Sequence, residues 1–253
     1  MAHPSNGFDM VQGLSFWGPS MLYKPEIFKS APASKVYNIP YILGEWEECN
    51  TGEYRAEAMP MMAGYACFQN YTPIHFCLIS GRARDNINGY IDNPFSVYND
   101  PIQTAAAPIS AMIYLRHEVD EAESVYYDVT SKKKIINEQS RFNDYDDSFR
   151  YLKRGVIYDD MPDYTEAAAD KNAYNEKYTS GMSKLESKIN EQMSYSSFDK
   201  STQWQNAAAK DFHMFSINSD YTNLVTGFET GKKYEFDDSF ITYKNQFAMV
   251  GLT

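Results

Sequence analysis

The sequence lacks the features that mark disulfide scaffolds, membrane spans and secretory leaders. Only 3 cysteines occur in 253 residues. Cys49, Cys67 and Cys77 are an odd number without metal-site spacing, which predicts reduced packing residues. No apolar run reaches the roughly 18 residues of a transmembrane helix. The first residues, MAHPSNGFDM, have neither a basic nor an apolar segment, so no signal peptide is predicted and the compartment stays open.

Basic residues are the scarcer charge. The chain has 23 Lys and Arg against 34 Asp and Glu, for a net charge of −11. Nucleic acids and anionic membranes both need a basic footprint, so neither is expected as a partner. The sequence also has no Gly-rich phosphate loop, nucleophile elbow or HExxH pattern, and we expect no metal and no other cofactor.

Aromatic residues are abundant, with 21 Tyr and 15 Phe. This composition suits β-structure and surfaces that stack on flat ligands such as sugars. A tyrosine-rich coding habit would give the same composition. The aromatic content alone therefore does not choose between these explanations.

The first half of the chain alternates strand and helix patterns. Residues 35–43 (KVYNIPYIL) and 73–79 (PIHFCLI) have the composition of buried strands. Between them, residues 54–71 have apolar side chains at helical spacing. Pro60 is tolerated only in a first turn, so the regular helix is expected to begin near Met59.

A second helix is predicted from a capping signal. Asp100 is an N-cap residue and Pro101 suits the first helical position. This helix should run to about His117, bent or broken at Pro108. The order strand, helix, strand, helix predicts a parallel sheet with right-handed crossovers.

The pattern changes near residues 118–122. ESVYYDVT, KKKIIN and RYLKRGVIY resemble strands, residues 160–200 resemble a polar helical excursion, and 212–252 resemble short antiparallel strands with tight turns such as ETGKK. We therefore predict an α/β domain over 1–120 and a β-rich accessory domain over 121–253.

The most informative stretch is YILGEWEE, residues 41–48. Glu45 ends a predicted strand, and the carboxyl ends of parallel strands are where α/β proteins bind ligands. Trp46 could form an apolar wall or a sugar-stacking platform. Glu47 and Glu48 add like charge, which raises carboxyl pKa values. Such a carboxylate can act as a glycosidase nucleophile, or it can simply cap a turn or pair with an arginine.

The stretch PYILGEWEECNTGEYRAEAMPMMAGYACFQNYTPIHFCLISG resembles the seventh and eighth βα units of cellulase-like retaining glycoside hydrolases, which are (β/α)8 barrels. The resemblance rests on a strand ending in Glu and an aromatic residue, a Tyr-Arg-x-Glu helix start, a Gln near the helix end and an apolar strand. Those positions are Glu45, Trp46, Tyr54, Arg55, Glu57, Gln69 and Ile74 to Ile79. His3-Pro4 resembles a His-Pro after the sixth strand. DPIQTAAAPISAMIYLRHEV resembles the last barrel helix, and residues 217–252 resemble an accessory β-domain.

The resemblance implies a fold and a set of site residues. The fold would be the C-terminal part of a (β/α)8 TIM barrel followed by an accessory antiparallel β-domain, acting on a carbohydrate substrate. Glu45 would be the catalytic nucleophile, and substrate would contact His3, Trp46, Glu47, Arg55 and His75. For Glu45 to stay ionised, Arg55 must pair with it, or Glu47 and Glu48 must face solvent.

Several of these residues have a second interpretation. His75 could contact a ligand or be a satisfied buried histidine, and the buried histidine is the commoner case. Arg55 could contact substrate or orient a carboxylate near the strand end. Trp17 could be a platform or a loop anchor. His3 lies at a terminus that could be frayed.

The sequence also departs from the family pattern. Asn70 to Pro73 stand where relatives often have Trp-Asp-Gly, and the family's acid/base Glu would precede residue 1. The expectation is a chain that needs an N-terminal barrel portion, whose parent enzyme could be secreted or periplasmic. Two other functions stay open: a non-catalytic carbohydrate-binding or structural protein, and an inactive fragment of a split enzyme.

Overall fold

The fold is given by a computed structural model. It describes residues 18–44, 46–73, 94–95, 97, 100–122, 125–130, 136, 153–158, 173–175, 202–204, 214–228 and 231–253. The predicted strand over 73–79 therefore lies outside the described residues beyond Pro73. Of KKKIIN only Ile136 is described. Within the predicted helical excursion over 160–200, the only described residues, 173–175, form a strand.

Three α-helices are described: α1 (Glu26–Ser30), α2 (Ala58–Gln69) and α3 (Pro101–Leu115). A 3-10 turn over Arg55–Glu57 precedes α2, and Pro60 lies in the first turn of the helix, as predicted. All twelve residues of α2 are buried. The helix ends at Asn70, whose φ of 54° is left-handed and whose backbone N–H bonds to the carbonyls of Ala66 and Cys67.

Helix α3 begins as its capping signal predicts. The Asp100 side chain accepts a hydrogen bond from the Ile102 N–H at 3.0 Å, and Pro101 occupies the first turn. The helix continues through Pro108 without a break and ends at Leu115, slightly before the predicted end at His117.

A short parallel strand pair frames α2. Strand β1 (Ile42–Leu43) pairs in parallel with β2 (Thr72–Pro73), in the register Ile42 to Thr72. This confirms the predicted parallel pairing across α2 at Pro73, the one described residue of the predicted strand over 73–79. The predicted strand over 35–43 is regular only at its end, because Asn38 has a φ of 55° within a turn over residues 37–39.

The second half begins with a parallel sheet. Strands β3 (Val125–Thr130), β4 (Lys153–Tyr158) and β5 (Ala173–Asn175) pair in parallel in the order β4-β3-β5. The expectation of antiparallel pairing throughout the accessory domain is therefore wrong for these strands. The connections 131–152 and 159–172 exceed the dozen or so residues that a parallel crossover needs.

Strand β4 also attaches to the first half. Its Val156 N–H bonds to the Lys35 carbonyl at 2.7 Å, and its Val156 carbonyl accepts from the Tyr37 N–H at 2.9 Å. Gln69, at the end of α2, accepts the Arg154 N–H through Oε1 at 2.8 Å. These bonds fix β4 against the segment 35–37 and the C-terminal end of α2.

The remaining strands are antiparallel, as predicted for 212–252. They are β6 (Thr202–Trp204), β7 (Met214–Asn218), β8 (Asn223–Gly227), β9 (Lys233–Glu235), β10 (Phe240–Thr242) and β11 (Ala248–Leu252). One sheet has the order β11-β8-β7-β6, and β9 pairs with β10. Tight turns lie at Ser219–Thr222 and Phe236–Ser239, where backbone bonds of 3.0 and 2.9 Å close them. Of the predicted turn ETGKK, Glu229 and Thr230 lie outside the described residues, and Gly231 lies in a turn with a φ of 77°.

One hydrophobic core contains residues from both sides of the predicted boundary near 118–122. Phe215, Ile217 and Leu224 of the antiparallel sheet belong to the same core as α2. The sheet packs tightly on α2 at Gly64, where an added Cβ would lie 3.2 Å from Ile217 and 3.3 Å from Phe215. In the part of the chain that the structure describes, no helix has the length and apolar composition of a transmembrane segment.

Replacement of Phe215 by alanine tests this shared core. Phe215 is fully buried, so Phe215→Ala should lower the free energy of unfolding by about 3–5 kcal/mol. Phe240, which is 59% exposed, is the matched control, and Phe240→Ala should cost less than about 1 kcal/mol. Denaturant unfolding followed by tryptophan fluorescence and circular dichroism should give one coincident transition. Two separate transitions, with only one moved by Phe215→Ala, would contradict a shared core.

Candidate functional site

The predicted site is described in part. Glu45, His3, His75 and Trp17 lie outside the described residues, whereas Trp46, Glu47 and Arg55 lie inside them. Around Glu45 the chain changes from exposed to buried: Gly44 is exposed, and residues 46–50 are all buried. The segment after β1 therefore packs into the protein and does not form a solvated loop.

Trp46 forms an apolar wall. Its side chain is 3% exposed and belongs to the main core. It borders a cavity of about 260 Å³ between α2 and α3, together with Met59, Ala63, Pro73, Ala107, Ser110, Ala111, Tyr114 and Leu115. Of the two functions considered for this indole, its burial favours the wall over an open sugar-stacking platform.

Arg55 pairs with the cap of α3. Its Nε lies 2.6 Å from Asp100 Oδ2, its Nη2 lies 3.3 Å from Asp100 Oδ1, and its Nη1 donates to the Gly52 carbonyl at 2.8 Å. Asp100 is fully buried and also caps Ile102. Arg55 was expected to contact substrate or to orient a carboxylate at the strand end. Here it orients the carboxylate that starts α3.

Glu47 and Glu48 are buried, at 3% and 7% exposure. Burial raises the pKa of Glu48. Burial, together with the charges of Glu47 and Glu48, raises the pKa of the Cys49 thiol to about 12. Cys49 is therefore an inert packing thiol, as predicted. Of the two conditions under which Glu45 would stay ionised, solvent exposure of Glu47 and Glu48 does not hold, because the segment 46–50 is buried.

The carboxyl group of Glu57, the glutamate of the Tyr-Arg-x-Glu helix start, lies beside Glu48. Glu57 is fully buried and accepts hydrogen bonds from Ser20 Oγ at 2.8 Å and from the Met21 N–H at 2.5 Å. Burial raises its pKa to about 8, and the Glu48 charge adds to the rise, while the two hydrogen bonds oppose it. At neutral pH this carboxyl is mostly protonated, and it ties the segment before α1 to the start of α2.

Four aromatic rings meet at the surface near the 3-10 turn. Phe228 is central: its ring centroid lies 4.9 Å from Tyr23, 5.2 Å from Tyr54 and 5.1 Å from Phe247. Tyr54 and Phe247 are also 5.1 Å apart, edge to face. We call these four residues the aromatic cluster. These residues come from four separate segments, so no local sequence pattern predicts the cluster.

Comparison with known proteins identifies no relative of this chain. The chain matches no protein-family model, no curated protein and no solved structure. Within the described ranges, no group of three or more His, Cys, Asp or Glu residues could hold a metal ion.

The pH dependence of stability tests the environment of Glu57. Its folded pKa of about 8 lies above the model-compound value of 4.5, so its stabilising contribution is complete below pH 4.5 and is lost as pH rises through 8. Glu57→Gln cannot ionise; its amide oxygen can accept from the Met21 N–H, and its amide NH2 can donate to Ser20 Oγ in place of the bond that Ser20 donates to Glu57. The free energy of unfolding should therefore fall less between pH 5 and pH 8 in this variant than in the parent, as measured by urea denaturation.

The matched control for this experiment is Glu53→Gln, because Glu53 is an exposed carboxylate in the same loop. This variant should keep the parent's pH dependence. If Glu57→Gln and the parent lose stability equally over this range, then Glu57 is ionised in the folded protein and its described environment is incorrect.

Proposed function

We propose that the chain is the C-terminal portion of a retaining glycoside hydrolase, with Glu45 as its nucleophile. The observation that carries the proposal is the parallel pair β1 and β2 with α2 between them in sequence. Glu45 follows Leu43, the last residue of β1, by two positions. Catalytic groups of α/β barrels lie at this end of the strands.

In the proposed reaction, a Glu45 carboxylate oxygen attacks the anomeric carbon of the sugar. A new ester bond forms as the glycosidic carbon–oxygen bond breaks, and a separate carboxylic acid protonates the departing oxygen. Water, deprotonated by that same group, then attacks the anomeric carbon and releases Glu45. No residue of this chain is assigned the acid/base role. In the proposal, an N-terminal barrel portion supplies that residue.

The surroundings of Glu45 support a positioning role for the loop that follows it. The Arg55–Asp100 pair joins the start of α2 to the start of α3. The buried segment 46–50 is held further by Gln103, which donates to the Glu48 carbonyl at 3.2 Å. A nucleophile must be held to within a fraction of an ångström, and a loop fixed at both ends meets that need.

Exposed apolar residues near β1 support the need for an N-terminal partner portion. Ile39 is 49% exposed and Ile42 is 57% exposed. In a closed barrel, strand residues are covered by side chains inside and by helices outside. Neighbouring βα units would cover these two isoleucines.

A non-catalytic carbohydrate-binding protein is the second candidate. The half-exposed aromatic cluster favours it, because such rings bind sugars without any catalytic carboxylate. An inactive fragment of a split enzyme remains the third alternative, and the same experiment separates the three.

The test uses the chain alone and the chain joined to the N-terminal barrel units that the proposal requires. Alone, it should hydrolyse aryl glycosides negligibly, because general acid help is worth about 10²–10⁴-fold. The completed enzyme should be active, and an activated fluoroglycoside should label Glu45. Glu45→Gln should abolish activity and labelling with the unfolding midpoint unchanged, whereas the matched control Glu26→Gln, at an exposed glutamate of α1, should keep both. A label on another carboxylate, or full activity in Glu45→Gln, would contradict the proposal.

A further inference from the structure

The aromatic cluster is a surface feature with a polar rim. Tyr23 is 45% exposed, and Tyr54, Phe228 and Phe247 are half-buried. Rings that only fill a core are usually covered, whereas these keep part of their area in contact with solvent. An exposed apolar patch bordered by polar groups marks an interaction site.

The rim carries hydroxyl and carboxylate oxygens. The Tyr54 hydroxyl bonds to the Glu53 carboxylate and lies close enough to the Tyr23 hydroxyl to interact with it electrostatically. Burial raises the pKa of Tyr54, and the nearby Glu53 carboxylate raises it further, so the hydroxyl stays protonated at neutral pH. The rim therefore offers hydroxyl donors and carboxylate acceptors directly beside the rings.

The aromatic rings and the polar rim together indicate which chemical class of ligand could bind. Rings provide faces for a flat apolar surface, and a few convergent polar atoms fix its orientation. Glu53 at the rim and a net charge of −11 for the chain repel phosphates and other anions. A neutral pyranose has an apolar face of C–H groups and an edge of hydroxyls, which matches both parts of the surface.

We propose that the aromatic cluster binds a neutral saccharide, with Tyr23 and Phe228 as the stacking surface and Tyr54 and Glu53 bonding to sugar hydroxyls. The proposal shares the carbohydrate ligand with the proposed function but does not depend on Glu45 chemistry. It assigns a second carbohydrate-binding surface, formed jointly by the segment before α1, the loop before α2, and the ends of the antiparallel sheet.

The test is calorimetric titration of the full chain with the soluble hexasaccharides of cellulose, mannan, xylan and laminarin. At least one of them should bind. Tyr23→Ala should weaken that binding by about tenfold. Tyr54→Phe, which removes only a hydroxyl, should weaken it several-fold. Unfolding midpoints of both variants should stay close to the parent's, and Tyr54→Phe still tests the proposal if Tyr23→Ala is destabilised.

The matched control is Tyr221, which is 66% exposed. The Arg116 guanidinium carbon lies 5.6 Å from the centroid of the Tyr221 ring. Tyr221→Ala should leave the affinity unchanged. The proposal is overturned if none of the four hexasaccharides binds, or if Tyr23→Ala and Tyr54→Phe bind as tightly as the parent. Preferential binding of a single-stranded RNA of similar length would also overturn it.

Glu45→Gln separates this proposal from the proposed function. Binding that is lost in Tyr23→Ala but kept in Glu45→Gln supports the aromatic cluster even if the completed enzyme shows no hydrolysis. Binding that is lost in Glu45→Gln but kept in both tyrosine variants places the saccharide at the strand end and overturns the second surface.

Discussion

The complete burial of α2 is the constraint on which the rest of the structure depends. Helix α2 has no polar face that could be in contact with water, so other elements of the protein must cover it on every side. Helix α3 packs on it, the Tyr65 hydroxyl bonds to the Phe28 carbonyl of α1 at 2.7 Å, and β7 approaches it at Gly64. Its two ends are held by Glu57 and by Gln69. The helix thereby joins the two halves of the chain.

Local signals predicted the elements that depend on local chemistry. The Asp100-Pro101 cap, the start of α2 around Pro60 and the parallel pairing across that helix all follow from short-range rules. The parallel direction of β3, β4 and β5 could not be predicted, because strand propensity does not indicate which strands pair or in which direction. The long polar connections were the one available signal for parallel crossovers.

In the candidate site too, local sequence signals predicted some features, and tertiary contacts determined the others. Glu45 is a prediction from a strand end and a resemblance and lies outside the described residues, whereas Cys49 was correctly predicted to be a packing thiol. The burial of Glu48 and Glu57 could not be predicted, since it results from the chain turning inward after Glu45 and from Ser20 and Met21 arriving over the helix start. Tertiary contacts determine the protonation of these carboxyl groups, and the neutral carboxyl of Glu57 limits the negative charge buried near Glu48.

Hydrogen exchange of the backbone amides of α2 and β7 tests most directly the claim that α2 organises one core across both halves of the chain. The account predicts that the interior amides of both elements exchange only through global unfolding, with free energies equal to that from denaturant unfolding. Exchange of β7 amides at a free energy about 2 kcal/mol or more below that of α2 would contradict it, because the antiparallel sheet would then unfold while the helix stays covered.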